Sequence, residues 1–504
     1  MEICSPALAY LTSSHFQTHF LSSQNLILIE ETFTQLYTRF DTSDIDEDTA
    51  AQLKQIGEAF LTVFADLSAL PDFSTACSLD SQPGRTLASW LESSQPPYLQ
   101  AAACLVLGNL SRSDESSIAL LPKVQSSLVG ILIRMIPSSQ SPTDISKPTG
   151  WSPIQLTHAA LNFAKNLAIP AANKPSLGAA LLDPVHPILP RLWSSTRTQP
   201  QLQFAAVSLT RLLLVNCPSN VTLLCTPLEA NNNNGPSTLA LLVSASTSAD
   251  ADPIKHEVSR AVATVCRALH SPNTNTTSPV LNPSWNWGAS DAPSPLAAFY
   301  TTHSAHIVNA LRHPLMQTRF PALRADVIFT LALMTRSSEE GAKVALRVFL
   351  PPSEPREGVE MDEKAKKKQE KEKAEAKTCW LALAEVILGA DEAKKLEGLF
   401  LFGDTSAQGS EDRGEDSKRE EKDGDVSVIQ VGMDGLSLSP QQIDMQAQKE
   451  QPAHAVRMNR ENGLVLLAEL FRRFTEELAL LRKTIETLLT KGGELVVKDR
   501  QEQS

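Results

Sequence analysis

The sequence predicts an all-α fold built from stacked helical repeats. Apolar residues make up 42% of the 504 residues, but aromatic residues make up only 5%. Leu and Ala dominate the apolar share, and both favour helices over strands. Apolar helical stretches also recur at similar spacing, which is typical of repeat arrays. We therefore expect a right-handed superhelical solenoid.

One pattern, a polar residue directly before a leucine inside an apolar stripe, occurs in four successive stretches. The four pairs are Asp66-Leu67, Asn109-Leu110, Asn166-Leu167 and Arg211-Leu212. The leucines are 43, 57 and 45 residues apart, and the outer two spacings match the period of roughly 40 to 47 residues in HEAT and armadillo units. The longer middle spacing contains the turn-rich string "PSSQSPTDISKPTGWSP". The spacing predicts an armadillo/HEAT-like array.

Further apolar stretches extend the array. "HEVSRAVATVCRALH", "LRADVIFTLALMT" and, near the C-terminus, "NRENGLVLLAELFRRFTEELALL" have the same helical character. Between them lie strings rich in Asn, Ser and Pro, which we expect to be surface loops because they cannot join a helical core. The repeats are therefore interrupted but not lost.

Two charged tracts separate the last repeats. Residues 360–377 include strong helix formers but no apolar stripe, which predicts at most a solvated helix. Residues 403–425 are net acidic and almost free of apolar side chains, which predicts disorder. The expected segments are a repeat array over 1–350, a charged linker or solvated helix over 351–378, an isolated helical repeat over 379–402, an acidic disordered insertion over 403–450, and a C-terminal helical repeat or cap over 451–504.

The charge balance bears on the class of partner. The chain carries 57 acidic and 45 basic side chains, which gives a formal net charge of -12. A phosphate backbone would be repelled unless basic residues were concentrated locally. This balance disfavours nucleic acid and favours a basic protein partner.

Cysteine usage and the lack of targeting signals predict the compartment. Seven scattered cysteines without a C-x-x-C pair are typical of small buried thiols in a reducing compartment. The N-terminus has no basic stretch followed by an apolar one, and no uncharged apolar run is long enough to span a bilayer. We expect a soluble cytosolic protein with no transmembrane segment.

No signature of catalysis is present in the sequence. It contains no phosphate-binding loop, no dinucleotide fingerprint, no H-E-x-x-H and no G-x-S-x-G. His303 and His306 come nearest to a metal pair, but no carboxylate or cysteine lies at ligand spacing from them. We expect a protein that is not an enzyme and has no cofactor and no metal.

The recurring polar position is open to two interpretations. Asp66, Asn109, Asn166 and Arg211 share one register, so stacking would align them along one row of helices. Each could satisfy a backbone carbonyl of the neighbouring repeat, since buried polar groups need partners. Alternatively, the row could line a groove and pair with the backbone and basic side chains of a partner. The shared register favours the groove.

Several of these stretches resemble one known family, the small-G-protein GDP dissociation stimulators. "FAKNLAIPAANK", residues 163–174, is similar to the family string L-R-N-L-A-I-P-x-x-N-K, with Asn166, Asn173 and Lys174 in place and Lys165 where the family has arginine. The other matched residues, in "HEVSRAVATVCRALH" and "CLVLGNLSRSDE", are Glu257, Arg260, Arg267, Asn109, Arg112 and Asp114, with Ser259 where the family would have asparagine.

This resemblance implies a function. Members of the family are armadillo-repeat exchange factors that bind Ras- and Rho-family GTPases with polybasic, often prenylated tails, and they promote GDP release and chaperone the GTPase away from membranes. No covalent step occurs on the exchange factor, because its binding energy favours a GTPase form that no longer holds nucleotide and magnesium. The resemblance implies a cytosolic protein and also allows association with the endoplasmic reticulum or mitochondria.

The candidate GTPase-binding residues follow from the repeated register and the resemblance. They are Asn109, Asn166, Asn173, Lys174, Arg211, Glu257, Arg260, Arg324, Asp326 and Asn462. Among them, we expect Glu257 and Asp326 to contact basic or switch residues of the GTPase. No catalytic residue is assigned.

The main alternative is a non-catalytic armadillo adaptor that binds extended basic peptides or other proteins. Such adaptors carry regular tryptophan-asparagine pairs on successive helices. The six tryptophans of this chain do not follow the asparagine positions, which disfavours the adaptor.

Overall fold

The structure of this protein is a computed structural model in which two compact units, Met1–His313 and Pro314–Ser504, are built from helices. It describes residues 10–40, 46–136, 153–226, 237–247, 251–271, 280–281, 292, 294–351, 363–400 and 453–501, apart from 12, 24 and 318. Every regular element in these ranges is helical. The all-α prediction is therefore confirmed for the described residues.

The first unit contains fourteen described helices and most of a fifteenth. They are α1 (Ser14–Ser22), α2 (Leu26–Phe40), α3 (Glu47–Ala69), α4 (Phe73–Ala76), α5 (Gln82–Ser89), α6 (Pro97–Leu110), α7 (Asp114–Arg134), α8 (Pro153–Leu167), α9 (Lys174–Leu181), α10 (Ile188–Ser195), α11 (Pro200–Leu214), α12 (Pro218–Cys225), α13 (Thr238–Thr247), α14 (Asp252–His270) and α15 (Pro295–Leu315).

Five helices of the first unit pack as one row in chain order. Helix α3 packs against α6, α6 against α8, α8 against α11, and α11 against α14. A second row, α7, α9 and α12, contacts helices of the first row, and its members also contact one another in order. Packing of each repeat on the next is consistent with an α-solenoid. The armadillo class and the hand of the superhelix stay predictions.

Helix α6 shows why this row is tightly packed. Its sequence "PYLQAAACLVLGNL" places small side chains on several sides, and nearly every residue in it is buried. The two helices lie close together at Gly108, because a Cβ there would be in ordinary van der Waals contact with the Asn166 amide nitrogen, at 3.7 Å, and with Phe163 of α8, at 3.8 Å. A helix that is apolar all round is a core helix, so α6 fixes the positions of α3 and α8 on its two sides.

Local capping chemistry sets where individual helices begin. The Asp46 carboxylate accepts a hydrogen bond from the Thr49 backbone N–H at 2.8 Å and caps α3. The Ser113 hydroxyl accepts one from the Ser116 N–H at 3.1 Å and caps α7. Each side chain satisfies an N–H group that has no partner within its helix.

Helix α7 is the one described helix that is long and apolar enough, by length and composition, to cross a bilayer. It packs against α8 and α9 within the first unit. Core helices of folded proteins meet the same two criteria, so α7 carries no argument for a membrane.

The N-terminal part of the first unit has an aromatic core. The ring of Phe33 on α2 lies 5.4 Å from that of Phe60, 5.7 Å from that of Phe64 and 5.9 Å from that of Trp90, measured between centroids. Offset and edge contacts of this kind stabilise a core beyond the area they bury. The cluster holds α2 against α3 and the residue that follows α5.

Glu30, one turn before Phe33 on α2, is 2% exposed, and its Oε1 has no hydrogen-bond partner. Burial, with a smaller contribution from Glu31, raises the pKa of Glu30 to about 8. Below pH 4.5, its ordinary pKa, the Glu30 carboxyl is protonated in both the folded and the unfolded state, so it does not make stability depend on pH. As the pH rises toward the folded-state value, the unfolded state ionises first and stability falls, by up to about 1.4 kcal/mol per pH unit.

Glu30→Gln should therefore remove a loss of stability between about pH 4.5 and pH 8. Urea unfolding followed by circular dichroism across this pH range measures the effect. Glu92→Gln, at an exposed position of the same unit, is the control and should keep the wild-type slope. A wild-type slope in Glu30→Gln would show that Glu30 ionises normally in the folded protein.

The predicted buried thiols are confirmed where the structure describes them. Cys77, Cys104, Cys217, Cys225, Cys266 and Cys379 are buried and unpaired. Burial raises the pKa of the Cys77 thiol to about 12, which keeps it protonated. Cys4 lies outside the described residues.

The second unit contains the remaining described helices. They are the end of α15, α16 (Pro321–Ser337), α17 (Glu339–Phe349), α18 (Glu363–Leu388), α19 (Ala390–Lys394), α20 (Ala453–Arg473) and α21 (Arg482–Gln501). Helix α16 packs on α17 and α20, and α18 packs on α17, α19, α20 and α21. Trp380 of α18 lies between Phe349 and Phe400, with ring centroids 5.1 and 6.0 Å away.

The second unit divides the chain differently from the predicted segments. Helix α18 begins within the predicted linker 351–378 and ends within the predicted isolated repeat 379–402. Since α20 and α21 pack against it, the repeat is not isolated, and residues 314–350 belong to the same unit. The predicted disordered insertion 403–450 and the asparagine-rich loop at 231–234 lie outside the described residues.

Candidate functional site

Two asparagines of the recurring register join successive helices of the first row. Asn166 on α8 donates from Nδ2 to the Gly108 carbonyl of α6 at 2.8 Å. Asn109 on α6 donates to the Ser68 hydroxyl at 2.7 Å and to the Ala65 carbonyl of α3 at 3.3 Å. Both asparagines are 9% exposed. For these two positions, the interpretation that the side chain satisfies the neighbouring repeat agrees with the contacts.

The two ends of the register behave differently from its middle. Asp66 on α3 is exposed, and its carboxylate cannot donate a hydrogen bond as an asparagine does. Arg211 on α11 donates from Nε to the Glu257 carboxylate of α14 at 2.5 Å. The shared register therefore produces one kind of contact at Asn109 and Asn166 and an ion pair at Arg211.

Asn173 and Lys174 serve the ends of helices. The Asn173 side chain donates to the Leu167 carbonyl at the end of α8, at 3.0 Å, and to the Ser117 carbonyl of α7 at 3.2 Å. The Lys174 ammonium donates to the Val215 carbonyl, directly after α11, at 2.8 Å. Asn173 is 3% exposed and Lys174 is 6% exposed. Both side chains are thus engaged inside the protein.

Asn220 on α12 makes the same contacts as Asn173, one repeat further along the chain. It donates to the Leu213 carbonyl near the end of α11 at 2.9 Å and to the Lys174 carbonyl of α9 at 2.8 Å. Gly178 of α9 makes room for it, since a Cβ there would lie 2.0 Å from the Asn220 side-chain oxygen. Sequence reasoning missed Asn220, although its position after α11 matches that of Asn173 after α8.

A charged cluster lies on the partly exposed side of α8, α11 and α14. Glu257 is held by two arginines, since Arg260 donates to its second oxygen at 3.1 Å in addition to the bond from Arg211. The Glu257 side chain is 9% exposed, that of Arg211 17% and that of Arg260 42%. The Lys165 ammonium lies 5.9 Å from the centroid of the Phe204 ring of α11, a cation–π geometry.

The electrostatics of this cluster are dominated by cations. Burial lowers the pKa of Lys165, the neighbouring Glu257 opposes that change, and Arg211 adds to it. Burial and the nearby Lys165 charge also lower the pKa of His158, about two helical turns away on α8. Glu257 is the one carboxylate in this group, so the cluster has a positive charge in an acidic chain.

The remaining predicted residues belong to the second unit. Arg324 on α16 donates to the Leu315 carbonyl at 3.0 Å and also to the Glu385 carboxylate of α18. Asp326 is half-buried on α16, and Asn462 is half-buried on α20, the helix that packs against α16. The structure thus brings Arg211, Glu257 and Arg260 together in the first unit and puts Asp326 and Asn462 on adjoining helices of the second.

His303 and His306, which come nearest to a metal pair in the sequence, both lie on α15. The His303 Nδ1 is 3.5 Å from the Ser237 hydroxyl, and burial lowers the pKa of His303 to about 4. Among the described residues, no group of three or more His, Cys, Asp or Glu side chains is placed to hold a metal ion.

Comparison of the chain with models of known protein families gives no match, and comparison with curated protein sequences gives none either. The functional argument therefore depends on the residues described above and on the way they are arranged.

Proposed function

We propose that this protein binds small GTPases of the Ras and Rho families and promotes the release of GDP from them. The observation that carries the proposal is the position of the residues that resemble the GDP dissociation stimulators. Asn109, Asn166 and Glu257 lie on α6, α8 and α14, which belong to one row of packed helices. Arg260, another of these residues, lies on α14, is 42% exposed and is available to a partner.

The proposed mechanism is differential binding without covalent chemistry. The asparagine contacts hold successive helices in register, so that the charged side chains of α8, α11 and α14 present a preformed surface. A GTPase conformation that has lost nucleotide and magnesium binds this surface more tightly than the GDP-bound form, and the difference in affinity drives GDP out. A polybasic tail is attracted by the net charge of -12, which raises the association rate at low salt.

Release of a fluorescent GDP analogue tests the proposal. A panel of Ras and Rho proteins, each with and without its polybasic tail, is loaded with the analogue and mixed with the full-length chain. Accelerated release from at least one member, weaker without the tail and at higher salt, is the expected result. Binding without acceleration for every member would refute exchange and leave the adaptor as the better description.

The structure disfavours one form of the adaptor. An adaptor that grips an extended peptide would use side-chain amides along its row of helices to bind the peptide backbone. Here the amide nitrogens of Asn109 and Asn166 already donate to Ala65 and Gly108 of the neighbouring helices. These two amides are therefore unavailable to a peptide.

Arg260→Ala should slow the stimulated release of GDP by about fivefold, because a charge at an interface contributes to both encounter and binding. The fold should be unaffected, since the Arg260 side chain is 42% exposed. Lys123→Ala is the matched control, because Lys123 is a 44% exposed cation on α7 that pairs with Asp80 instead. Equal rates for wild type and Arg260→Ala would remove α14 from the proposed binding surface.

A further inference from the structure

The partly exposed side of α8, α11 and α14 carries a concentration of positive charge that the overall composition does not suggest. Its members are Lys165, Phe204, Arg211, Arg260 and Arg267, and we call this surface the basic face. Glu257 is the single carboxylate among them, and Arg211 and Arg260 already share it. We infer that the basic face binds an acidic segment of a protein partner, with Lys165 and Arg260 as the direct contacts.

Lys165 is the strongest indication that the basic face binds an anionic partner. Its ammonium lies over the Phe204 ring, and among the described residues no carboxylate or carbonyl accepts a hydrogen bond from it. A half-buried ammonium has lost part of its hydration, which lowers the pKa of Lys165. The three N–H donors of this partly dehydrated ammonium are satisfied best by the oxygens of an anionic partner.

The surroundings of Lys165 select the chemistry of that partner. Arg260 is half exposed, with part of its guanidinium beyond the pair with Glu257. Lys165 and Arg260 both interact with Glu257. A partner carboxylate that arrives near Glu257 would therefore meet both cations at a partly dehydrated surface, where attraction is stronger than in water. A lysine-rich segment would instead meet like charges, and such juxtaposition disfavours binding.

An acidic polypeptide fits this surface better than a nucleic acid. Nucleic acid carries a dense row of phosphates along its length, and the net charge of -12 on this chain repels it beyond the few residues of the basic face. A short acidic segment places its carboxylates within the basic face alone. The phosphate alternative is distinguished by the experiment.

This inference rests on the proposed function, because it names the chemistry of the partner that binds at the same surface. It assigns the basic face to carboxylates of the partner and leaves a polybasic tail to other, acidic parts of the chain. The peptide-binding experiment that tests it contains no GTPase, so the inference and the proposed exchange activity can fail separately.

Fluorescence anisotropy of labelled peptides tests the inference on the full-length protein. The probes are a short peptide of alternating Glu and Gly and its Lys counterpart of the same length, and an unlabelled single-stranded oligonucleotide serves as competitor. The variant Lys165→Met/Arg260→Met removes two charges but keeps the aliphatic stems. Lys123→Met, on α7 with Asp80 as partner, is the control.

The expected result is that wild type binds the Glu peptide in preference to the Lys peptide and that added salt weakens binding. The double variant should bind the Glu peptide about tenfold more weakly, and Lys123→Met should bind as wild type does. Arg260→Met alone, at an exposed position, should weaken binding in the same direction and covers the case in which the double variant does not fold.

Three outcomes would overturn the inference. They are a preference for the Lys peptide, an equal loss of binding in Lys123→Met, and displacement of the Glu peptide by the oligonucleotide at equal charge. The last of these would identify the basic face as a phosphate site. A fourth outcome, stimulated GDP release without binding of the Glu peptide, would also overturn the inference but leave the proposed function standing.

Discussion

Glu257→Ala is expected to lower the free energy of unfolding by about 3 kcal/mol. The carboxylate is 9% exposed and compensates Arg211, which is 17% exposed, on the adjoining helix. Removing it leaves the Arg211 guanidinium beside Lys165 without an opposite charge, in a region where water reaches it poorly. Urea unfolding followed by circular dichroism gives the change.

Two further variants separate loss of the ion pair from loss of a side chain. Glu257→Leu combined with Arg211→Met should recover most of the stability, because a buried ion pair can be replaced by apolar residues at little cost. Asp80→Ala breaks the exposed pair with Lys123 and should leave the unfolding midpoint unchanged. If Glu257→Ala also leaves the midpoint unchanged, this pair does not hold α11 and α14 together.

Gly178→Ala is expected to destabilise the first unit by about 3 kcal/mol. The new Cβ would lie 2.0 Å from the Oδ1 of Asn220, which is fully buried. The asparagine must move, and the carbonyls of Lys174 and Leu213 then lose the donor that joins α9, α11 and α12. Thermal and urea unfolding both report the loss.

Gly493→Ala on α21 is the matched control for the glycine substitution. It makes the same chemical change in a helix, but no atom lies within 4 Å of the new Cβ. Since Ala favours helix over Gly, this variant should be neutral or more stable by up to about 1 kcal/mol. Similar effects of the two substitutions would show that the close approach of Gly178 to Asn220 is unimportant.

The sequence predicts most of the local structure correctly because local structure depends on neighbouring residues. Periodicity of apolar residues marks the helices, and α8 ends at Leu167, three residues before Pro170, as helices generally end before a proline. The spacing of Leu67, Leu110, Leu167 and Leu212 also predicts that the helices that contain them are equivalent. These helices, α3, α6, α8 and α11, pack in order as one row.

The candidate site is harder to predict than the helices, because the position of a residue within a repeat does not determine which residues its side chain meets. The shared register led us to expect that Asn109 and Asn166 line a groove. In a stacked array, however, the same register also arises when each asparagine contacts the preceding helix of the row. The bond from Asn166 to Gly108 joins residues 58 apart in the chain. No local pattern shows which side of α8 meets α6 and which side meets solvent.

Composition and periodicity are enough to show that this protein is helical in its described residues, that its apolar stretches repeat at a spacing typical of stacked units, and that the chain is acidic overall. The contacts between helices show in addition that Asn109, Asn166 and Asn173 bond to other parts of the protein. They also show that Lys165, Arg211 and Arg260 all interact with the Glu257 carboxylate. The physical reason is that helix propensity and composition are sums over near neighbours. Burial and charge pairing depend on residues that only folding brings together.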